Sequence, residues 1–442
     1  MGLARFQGKK GQVPPMFRAV SQQQTTASEV PSRPELTLVR NEPPTETRQF
    51  LTRGTPAFRR ATIGLFLSGF ATFSLLYCVQ PLMPIFAEDF GVTPAASSLS
   101  LSLSTGFLAF AIFGAAAVSE SLGRRSLMFI SLLGAAICTI VCAVSPSWHM
   151  LLVVRALEGF LLGGVPAVAM TYLAEEIEPR GLGGAMGLYI AGNAFGGMAG
   201  RVVTGTIAEY LSWRPALATV GILGLIAAIG FLYLLPPSRN FTPRKGFDVA
   251  FHLKAWSGHF GNAALPLLFA IGFLVMGSFV TVYNYAGFRL VADPYDLSQT
   301  ELGLIFTAYL FGIGASWAAG LLGDRIGHFV VLPVGVLIAA LGAAVTLSSS
   351  LPLIILGIVL VTIGFFMTHS VASALVGRLA HGFKGHASSL YLLAYYLGSS
   401  IAGSVGGYFW LADGWNAVVA FILVMLALCL VSAFAVARLA RG

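Results

Sequence analysis

Charged side chains are scarce in this chain: Asp, Glu, Lys and Arg make up 10% of its 442 residues, whereas about a quarter is usual for a soluble domain. Hydrophobic residues make up 56%. This balance excludes an ordinary soluble globule and indicates a protein that crosses the bilayer several times. Cysteine is also rare. The four cysteines lie inside apolar stretches, which is typical of small packed residues: Cys78, Cys138, Cys142 and Cys429.

Motifs for nucleotide hydrolysis and for metal binding are absent from the sequence. There is no G-x-x-x-x-G-K-[ST] phosphate-binding loop, and the seven His and four Cys do not have the spacing of metal ligands. We therefore expect a protein that is not an enzyme and that carries no cofactor and no metal. Its energy source is then a gradient, most simply of protons.

Twelve apolar segments follow a polar N-terminal region. Residues 1–58 are rich in Gln, Ser, Thr and Pro and are predicted to form a disordered basic tail in the cytoplasm. The predicted spans are 61–86, 97–118, 126–144, 148–172, 183–208, 213–235, 265–291, 302–322, 329–347, 351–376, 387–411 and 415–437. The expected fold class is an all-α membrane protein, with six spans in 59–235, a basic linker at 236–264 and six spans in 265–442.

The formal net charge of +8 is distributed unevenly along the chain. Of the 26 Lys and Arg residues, 22 lie in the tail, in alternate loops and at the C-terminal end, and only Arg214 and Arg289 lie in loops on the other side. This is the positive-inside bias, which predicts that both termini lie in the cytoplasm. The placement of the charge argues against nucleic acid as a partner.

The two halves of the chain repeat each other at an offset of 202 to 204 residues. The aligned pairs include Tyr189 with Tyr391, Gly196 with Gly398, Gly205 with Gly407 and Trp213 with Trp415. Because each half has an even number of spans, both halves cross the bilayer in the same direction, and their symmetry axis runs along the membrane normal. We expect two six-helix bundles with a cavity between them.

Two loop sequences resemble a signature of the major facilitator superfamily. GLLGDRIGHF at 320–329 is similar to its motif G-x-L-a-D-r-x-G-r-r, and AAVSESLGRR at 116–125 is a degenerate first-half copy. LLVVRALEG resembles the fourth-helix motif of the drug/proton antiporters, and LLYCVQP and TYLAEE resemble the acriflavine-sensitivity branch. The resemblance implies the major facilitator fold and transport by alternating access.

The resemblance also implies that charges in these loops hold the cavity closed to the cytoplasm and separate when it opens. It assigns this gate to Glu120, Gly123, Arg124, Arg125, Gly320, Asp324, Arg325 and Gly327. The alternative is that these are ordinary solvated loop residues.

Arg155 and Glu158 lie inside an apolar span, where each charge costs roughly 2.5 to 3.5 kcal/mol. They share one helix face, and Gly159 and Gly163 continue the face of Arg155, so a neighbouring backbone could approach closely. Burial favours a neutral carboxyl and the guanidinium favours a charged one, so the pair could serve with Arg201 as a proton relay. The alternatives are a permanent structural ion pair and, for Arg201, either an organic-anion site or a cap on carbonyl groups.

Polar side chains at similar depth are expected to converge on one cavity near the middle of the membrane. They are Tyr77, Gln80, Asn193, Asn284, Tyr285, His369 and Tyr395. Their hydrogen-bonding groups and rings suit polyols, sugars or aromatic solutes. Each could instead be a helix-packing contact, and His369 could be a neutral core residue.

The sequence thus predicts a proton-coupled secondary transporter of the inner membrane, acting as a monomer and exporting a small organic solute such as a drug-like molecule, a sugar or an organic acid. Two alternatives stay open. One is uptake of an organic anion or sugar together with a proton. The other is a transporter-like receptor or scaffold that binds a ligand without moving it.

Overall fold

The computed structural model describes residues 49–241, 249–380 and 382–440. Within them the regular secondary structure is helical, apart from a bridge between Leu51 and Ile177. The helices are α1 (Pro56–Tyr77), α2 (Met83–Asp89), α3 (Pro94–Leu122), α4 (Arg124–Ala143), α5 (Trp148–Leu162), α6 (Pro166–Glu176), α7 (Pro179–Tyr210), α8 (Trp213–Leu234), α9 (Val249–Gly258), α10 (Ala264–Leu290), α11 (Gln299–Ile305), α12 (Tyr309–Ile326), α13 (His328–Val345), α14 (Leu351–Leu379) and α15 (Lys384–Leu439). Short 3₁₀ turns lie at Gln80–Leu82, His259–Gly261 and Phe306–Ala308.

These helices make twelve membrane spans, as predicted. Three spans are broken into two helices each: α1 with α2, α5 with α6, and α11 with α12. The long helix α15 contains two spans, because the backbone leaves helical geometry at Asp413 and Gly414. In the described part of the chain, ten segments are long and apolar enough to cross a membrane, with α15 counted once. The glycine-rich α7, at 32 residues, is the remaining span.

The ends of several spans follow from their capping residues. The side chains of Thr55, Thr93 and Ser147 each accept a hydrogen bond from a backbone N–H in the first turn of the helix that follows. Gly123 separates α3 from α4 and Gly327 separates α12 from α13, with φ of 84° and 96°. Only glycine adopts this region without strain, so the loop motif ends a helix at equivalent places in both halves.

The internal repeat is visible in how the spans pack. In the first half α7 lies on α1, and in the second half the first part of α15 lies on α10. A Cβ atom added to Gly196 would lie 2.1 Å from the Phe70 carbonyl oxygen, and one added to Gly398 would lie 2.1 Å from that of Phe273. The aligned glycines therefore bring two helix backbones into contact in each bundle.

The predicted C-terminal boundary of the tail, at residue 58, needs correction. Residues 1–48 lie outside the described part of the chain, but 49–58 are described and α1 already begins at Pro56. The Leu51 N–H donates to the Glu176 carbonyl oxygen at 2.7 Å, and the Gln49 N–H donates to the Asn240 side chain at 3.1 Å. These hydrogen bonds attach the segment before α1 to the end of α6 and to the start of the linker.

The predicted linker at 236–264 contains a helix as well as loop. Its residues 242–248 lie outside the described part, and α9 follows at Val249–Gly258. The ring of Trp256 on α9 lies edge-on to Phe113 of α3, with centroids 4.6 Å apart. The linker therefore contacts the first bundle near the end of its second span.

Candidate functional site

A cavity of about 920 Å³ lies between the two bundles. We call the membrane face that holds Gln49 and Ala440 the near face and the opposite one the far face. The cavity lining reaches the near face at Glu120, Arg124 and His386 and ends inside the protein at Tyr77 and Arg201. The cavity therefore opens toward the near face.

Direct contacts between the bundles close the far side; we call the three pairs Gln80–Asn284, Ser102–Ser400 and Gly205–Gln299 the far seal. Gln80 Nε2 donates to Asn284 Oδ1 at 2.7 Å. The Ser400 hydroxyl donates to the Ser102 carbonyl oxygen, also at 2.7 Å. A Cβ atom on Gly205 would lie 2.5 Å from the Gln299 carbonyl oxygen. A solute in the cavity cannot pass these contacts without separation of the bundles.

Gln80 and Asn284 occupy equivalent positions of the two halves, 204 residues apart. Two residues related by a twofold axis can touch only if both lie close to that axis. Their hydrogen bond therefore lies near the symmetry axis between the bundles. The prediction that both line the cavity needs correction: Gln80 and Asn284 are buried in the far seal and are absent from the lining.

Arg201, on α7, forms the closed end of the cavity and is only 1% exposed. Its Nε donates to Gln80 Oε1 at 2.7 Å and its Nη1 donates to the Gly197 carbonyl oxygen at 2.6 Å. Its Cζ lies 4.3 Å from the ring centre of Tyr77 and 5.0 Å from that of Tyr309. Among the described residues, no carboxylate forms an ion pair with this guanidinium.

The walls near Arg201 are mostly aromatic. The rings of Phe279 and Phe365 stack 3.9 Å apart, and the His369 ring lies parallel to Phe365 at 5.9 Å. The Tyr395 ring lies 4.6 Å from His369, whose Nδ1 is 2.9 Å from the Tyr391 hydroxyl. These side chains share the cavity lining and make a flat-sided, largely apolar space.

Three more predicted residues can be placed relative to the lining. Tyr77 and Asn193 belong to it, with Tyr77 beside Ser399 and Asn193 beside Tyr189. Tyr285 does not belong to it. Its hydroxyl donates to the Gly403 carbonyl oxygen at 2.8 Å, so Tyr285 joins α10 to α15 inside the second bundle.

Arg155 and Glu158 do not line the cavity. The prediction that they form one proton relay with Arg201 therefore needs correction. Both side chains are 0% exposed, and Arg155 Nη1 donates to Glu158 Oε2 at 2.7 Å. The other carboxylate oxygen accepts a hydrogen bond from Thr139 at 3.1 Å. The pair is thus enclosed by the first bundle and is separate from the cavity lining.

The Arg155 guanidinium also binds carbonyl groups at the break in the first span, between α1 and α2. It donates to the carbonyl oxygens of Leu75 and Leu76 at 3.2 and 2.6 Å, and its Nε donates to that of Ser100 at 2.8 Å. α1 ends at Tyr77, so its last carbonyl groups lack a helical N–H donor and can accept from Arg155. Arg155 therefore joins α5 to α3 and to the end of α1, where a positive charge is favourable.

The expected close approach beside this pair is confirmed. A Cβ atom added to Gly159 would lie 2.0 Å from the Ser104 carbonyl oxygen of α3. One added to Gly163 would lie 2.5 Å from the Ala111 side chain. The two glycines let α5 pack against the α3 backbone, which buries Arg155 and Glu158 completely.

The predicted gate charges pair within each bundle. Arg124 binds Glu175 at 2.9 Å, and Arg378 binds Asp324 at 3.5 Å on an exposed surface. Arg125 donates to the Leu232 carbonyl oxygen. Glu120 and Arg325 form no ion pair with a described residue. No charge contact thus crosses between the described parts of the two bundles at the near face, as expected where the cavity is open.

The sequence model of the Major Facilitator Superfamily matches residues 65–293 and 289–441. The chain belongs to this superfamily. It is 48% identical over 389 residues to the inner membrane transport protein YnfM of Escherichia coli, which covers 87% of this chain and 92% of YnfM. It is 28% identical over 292 residues to the multidrug resistance protein MdtG of Salmonella typhimurium, which covers 63% of this chain and 69% of MdtG.

Solved structures of the superfamily have the same fold. A bacterial homologue of the human lysosomal transporter Spinster, in an inward-facing and occupied conformation, superposes with a TM-score of 0.73 at 15% identity, over 87% of this chain and 97% of that one. A peptide transporter in complex with sulfate superposes with a TM-score of 0.71 at 13% identity, over 87% of this chain and 95% of that one. The chain is thus a multi-pass membrane transporter of the major facilitator fold.

Several lining residues of this transporter were not singled out from the sequence. They are Phe279, Tyr309, Phe365 and Tyr391. One signal was available: Tyr189 and Tyr391 align across the repeat, and both line the cavity. The others are aromatic residues within apolar helices, where sequence alone does not separate a cavity wall from a packed core.

Proposed function

We propose that this transporter exports a small organic solute in exchange for protons by alternating access. The observation that carries the proposal is the cavity between two symmetry-related bundles, open at the near face and closed at the far face by the far seal. Separation of the far seal and closure of the near face would carry the cavity contents across the membrane.

The direction of export rests on the orientation of the chain. The positive-inside bias makes the near face cytoplasmic, so a solute enters the open cavity from the cytoplasm. The proton gradient is proposed as the energy source because the sequence has no nucleotide-binding loop. The relatives named as a transport protein and a multidrug resistance protein agree with a solute-transporting role.

A two-step experiment tests this proposal. A thermal-shift screen of the purified full-length protein against sugars, organic acids and dyes identifies solutes that bind. The best of them is then loaded into proteoliposomes, and solute and proton movements are followed after a pH jump. We expect solute efflux coupled to proton entry, with no such coupling in protein-free liposomes.

The other outcomes of the same experiment separate the alternatives. Solute and proton moving in the same direction would contradict exchange and support uptake by symport. A solute that shifts the thermal transition but is neither exchanged nor driven would contradict transport altogether. That result would support a receptor that binds its ligand without moving it.

A further inference from the structure

We propose that the closed end of the cavity binds the carboxylate of an aromatic monoanion, with Arg201 as the residue that binds the charge. This proposal rests on the proposed function, because it names the chemical class of the transported solute. Four properties of the site support it: an unpaired buried cation, free hydrogen-bond donors, flat aromatic walls and the scarcity of other charges.

The unpaired charge is the first property. The described part of the chain contains three ion pairs, Arg124–Glu175, Arg155–Glu158 and Arg378–Asp324, and Arg201 belongs to none of them. Arg155, which is as deeply buried as Arg201, is neutralised by Glu158 at 2.7 Å. A buried cation without a counter-charge is costly, and that cost is recovered when a ligand supplies the anion.

The second property is the supply of hydrogen-bond donors. Arg201 hydrogen-bonds Gln80, Gly197 and Tyr309, and these contacts leave two of the five N–H donors of a guanidinium. A carboxylate can accept two parallel bonds from the donors that remain. The Tyr77 ring centre is 4.3 Å from Arg201 Cζ, so this ring lies against the guanidinium.

The third property is the shape and chemistry of the walls. Phe279, Phe365, His369 and Tyr395 present a series of rings beside the closed end, with the planes of Phe365 and His369 only 5° apart. Such surfaces favour a planar apolar body, which gains contact area by offset stacking. A sugar would leave most of its hydroxyl groups facing rings and without partners.

The fourth property concerns the number and sign of the solute charges. Apart from Arg201, the Asp, Glu, Lys and Arg side chains among the described lining residues are Glu120 and Arg124, both at the near-face mouth. No carboxylate lines the closed end, so a cationic dye would meet Arg201 without a counter-charge. One cation neutralises one anion, which favours a monoanion over a dianion.

Isothermal titration of the full-length protein in nanodiscs with three matched probes tests the proposal. The probes are 2-naphthoate, its neutral analogue naphthalene-2-carboxamide, and the cation 2-naphthylmethylammonium. We expect naphthoate to bind at least about tenfold more tightly than the amide, because only naphthoate forms charge-assisted hydrogen bonds. We expect no binding of the cation. Equal affinity for all three probes, or no binding of naphthoate, would overturn the proposal.

Variants at two arginines assign the charge selectivity to one residue. Arg201→Gln should reduce naphthoate affinity to that of the amide, and Arg201→Lys, which keeps the charge and loses the planar fork, should lie between. The matched control is Arg214→Gln, since Arg214 donates to the carbonyl oxygens of Ala143 and Ser145 outside the cavity. The control should bind naphthoate like the unmodified protein. Unchanged affinity in folded Arg201→Gln would contradict the assignment.

Binding and transport measurements together distinguish a wrong binding site from a wrong transport function. If a neutral or cationic solute is transported while naphthoate does not bind, the transport proposal stands and the aromatic-anion site is wrong. If naphthoate binds through Arg201 and no bound anion is ever exchanged across the bilayer, the site stands and transport is wrong.

Discussion

Glu158 and Arg155 illustrate how a single buried pair can be read in two ways. Their spacing and apolar surroundings favour a proton relay, whereas the structure places them among backbone carbonyls and the Thr139 hydroxyl. Arg155 satisfies four acceptors, three of them backbone oxygens on α1 and α3. This geometry supports a structural role, in which the pair holds the broken first span.

We predict that Glu158→Gln lowers the free energy of unfolding by about 3–5 kcal/mol, because it leaves a buried guanidinium without its counter-charge. Proton-driven transport per folded molecule should persist. Chemical unfolding in detergent measures the first quantity and proteoliposome flux the second. Loss of proton coupling with unchanged stability would instead establish the relay.

The matched control is Glu175→Gln, which removes the partner of Arg124 from a pair that water reaches. The Arg124 and Glu175 side chains are 10% and 27% exposed, so solvent replaces much of the lost interaction. The stability loss should stay within about 1 kcal/mol. A loss as large as that of Glu158→Gln would show that burial is not the cause of the difference.

These two residues also show what sequence reasoning could reach. The charges of Arg155 and Glu158 identify a special helix, and their spacing predicts that they pair. The backbone acceptors of Arg155 could not be predicted, because two are carbonyls at the end of α1 and the third is the Ser100 carbonyl of α3. Which carbonyls accept from Arg155 depends on how α1, α3 and α5 pack, and no local sequence pattern predicts that packing.

The helix contacts in each bundle depend on glycines that face a neighbouring backbone. On α7, Gly196 meets the Phe70 carbonyl oxygen of α1, whereas nothing lies within 4 Å of a Cβ atom placed on Gly184. The repeat made this contact predictable, since Gly398 aligns with Gly196 and contacts α10 in the same way. The break of α15 at Asp413 and Gly414 likewise agrees with two predicted spans there.

We predict that Gly196→Ala destabilises the protein by about 1–3 kcal/mol, because the added methyl group overlaps the α1 backbone. Gly184→Ala on the same helix should be neutral or stabilising by up to about 1 kcal/mol, since alanine favours helix and meets no neighbour. Thermal unfolding of the two variants compares them directly. Equal destabilisation would mean that loss of glycine itself, and not the contact with α1, is responsible.

The proposed orientation of the whole molecule rests on its loop charges and is open to direct measurement. We predict that green fluorescent protein fused after Gly442 is fluorescent and that alkaline phosphatase fused at the same place is inactive, because the positive-inside bias puts the near face in the cytoplasm. A fusion after Asp89, on the far face, should give the opposite pair of results. An active phosphatase at the C-terminus would reverse the orientation and, with it, the direction of export.

The open face of the cavity could not be predicted from sequence, although the two-bundle architecture could. The repeat and the even span count indicate two parallel bundles, and the aligned Gln80 and Asn284 indicate symmetry. Neither the repeat nor this alignment predicts which face of the cavity is open, because the state open at the near face and the state open at the far face use the same helices. The far seal is therefore defined by the contacts that Gln80, Ser400 and Gly205 make in the folded protein.

Locking the far seal tests the central claim, that solute crosses by separation of the bundles at the far face. A Cβ atom on Gly106 of α3 would lie 3.5 Å from the Cβ of Ser400 of α15, a separation that suits a disulfide. Solute exchange is measured in proteoliposomes that contain the double variant Gly106→Cys with Ser400→Cys, first after oxidation and then after reduction of the disulfide. The solute is the strongest binder of the thermal-shift screen.

Gly64→Cys with Leu234→Cys serves as the control, because these positions are 3.4 Å apart within the first bundle. Its exchange should not change on oxidation. For the locked far seal we predict that oxidation abolishes exchange while solute binding from the near face persists, and that reduction restores exchange. Exchange at the unmodified rate with the disulfide fully formed would contradict the account.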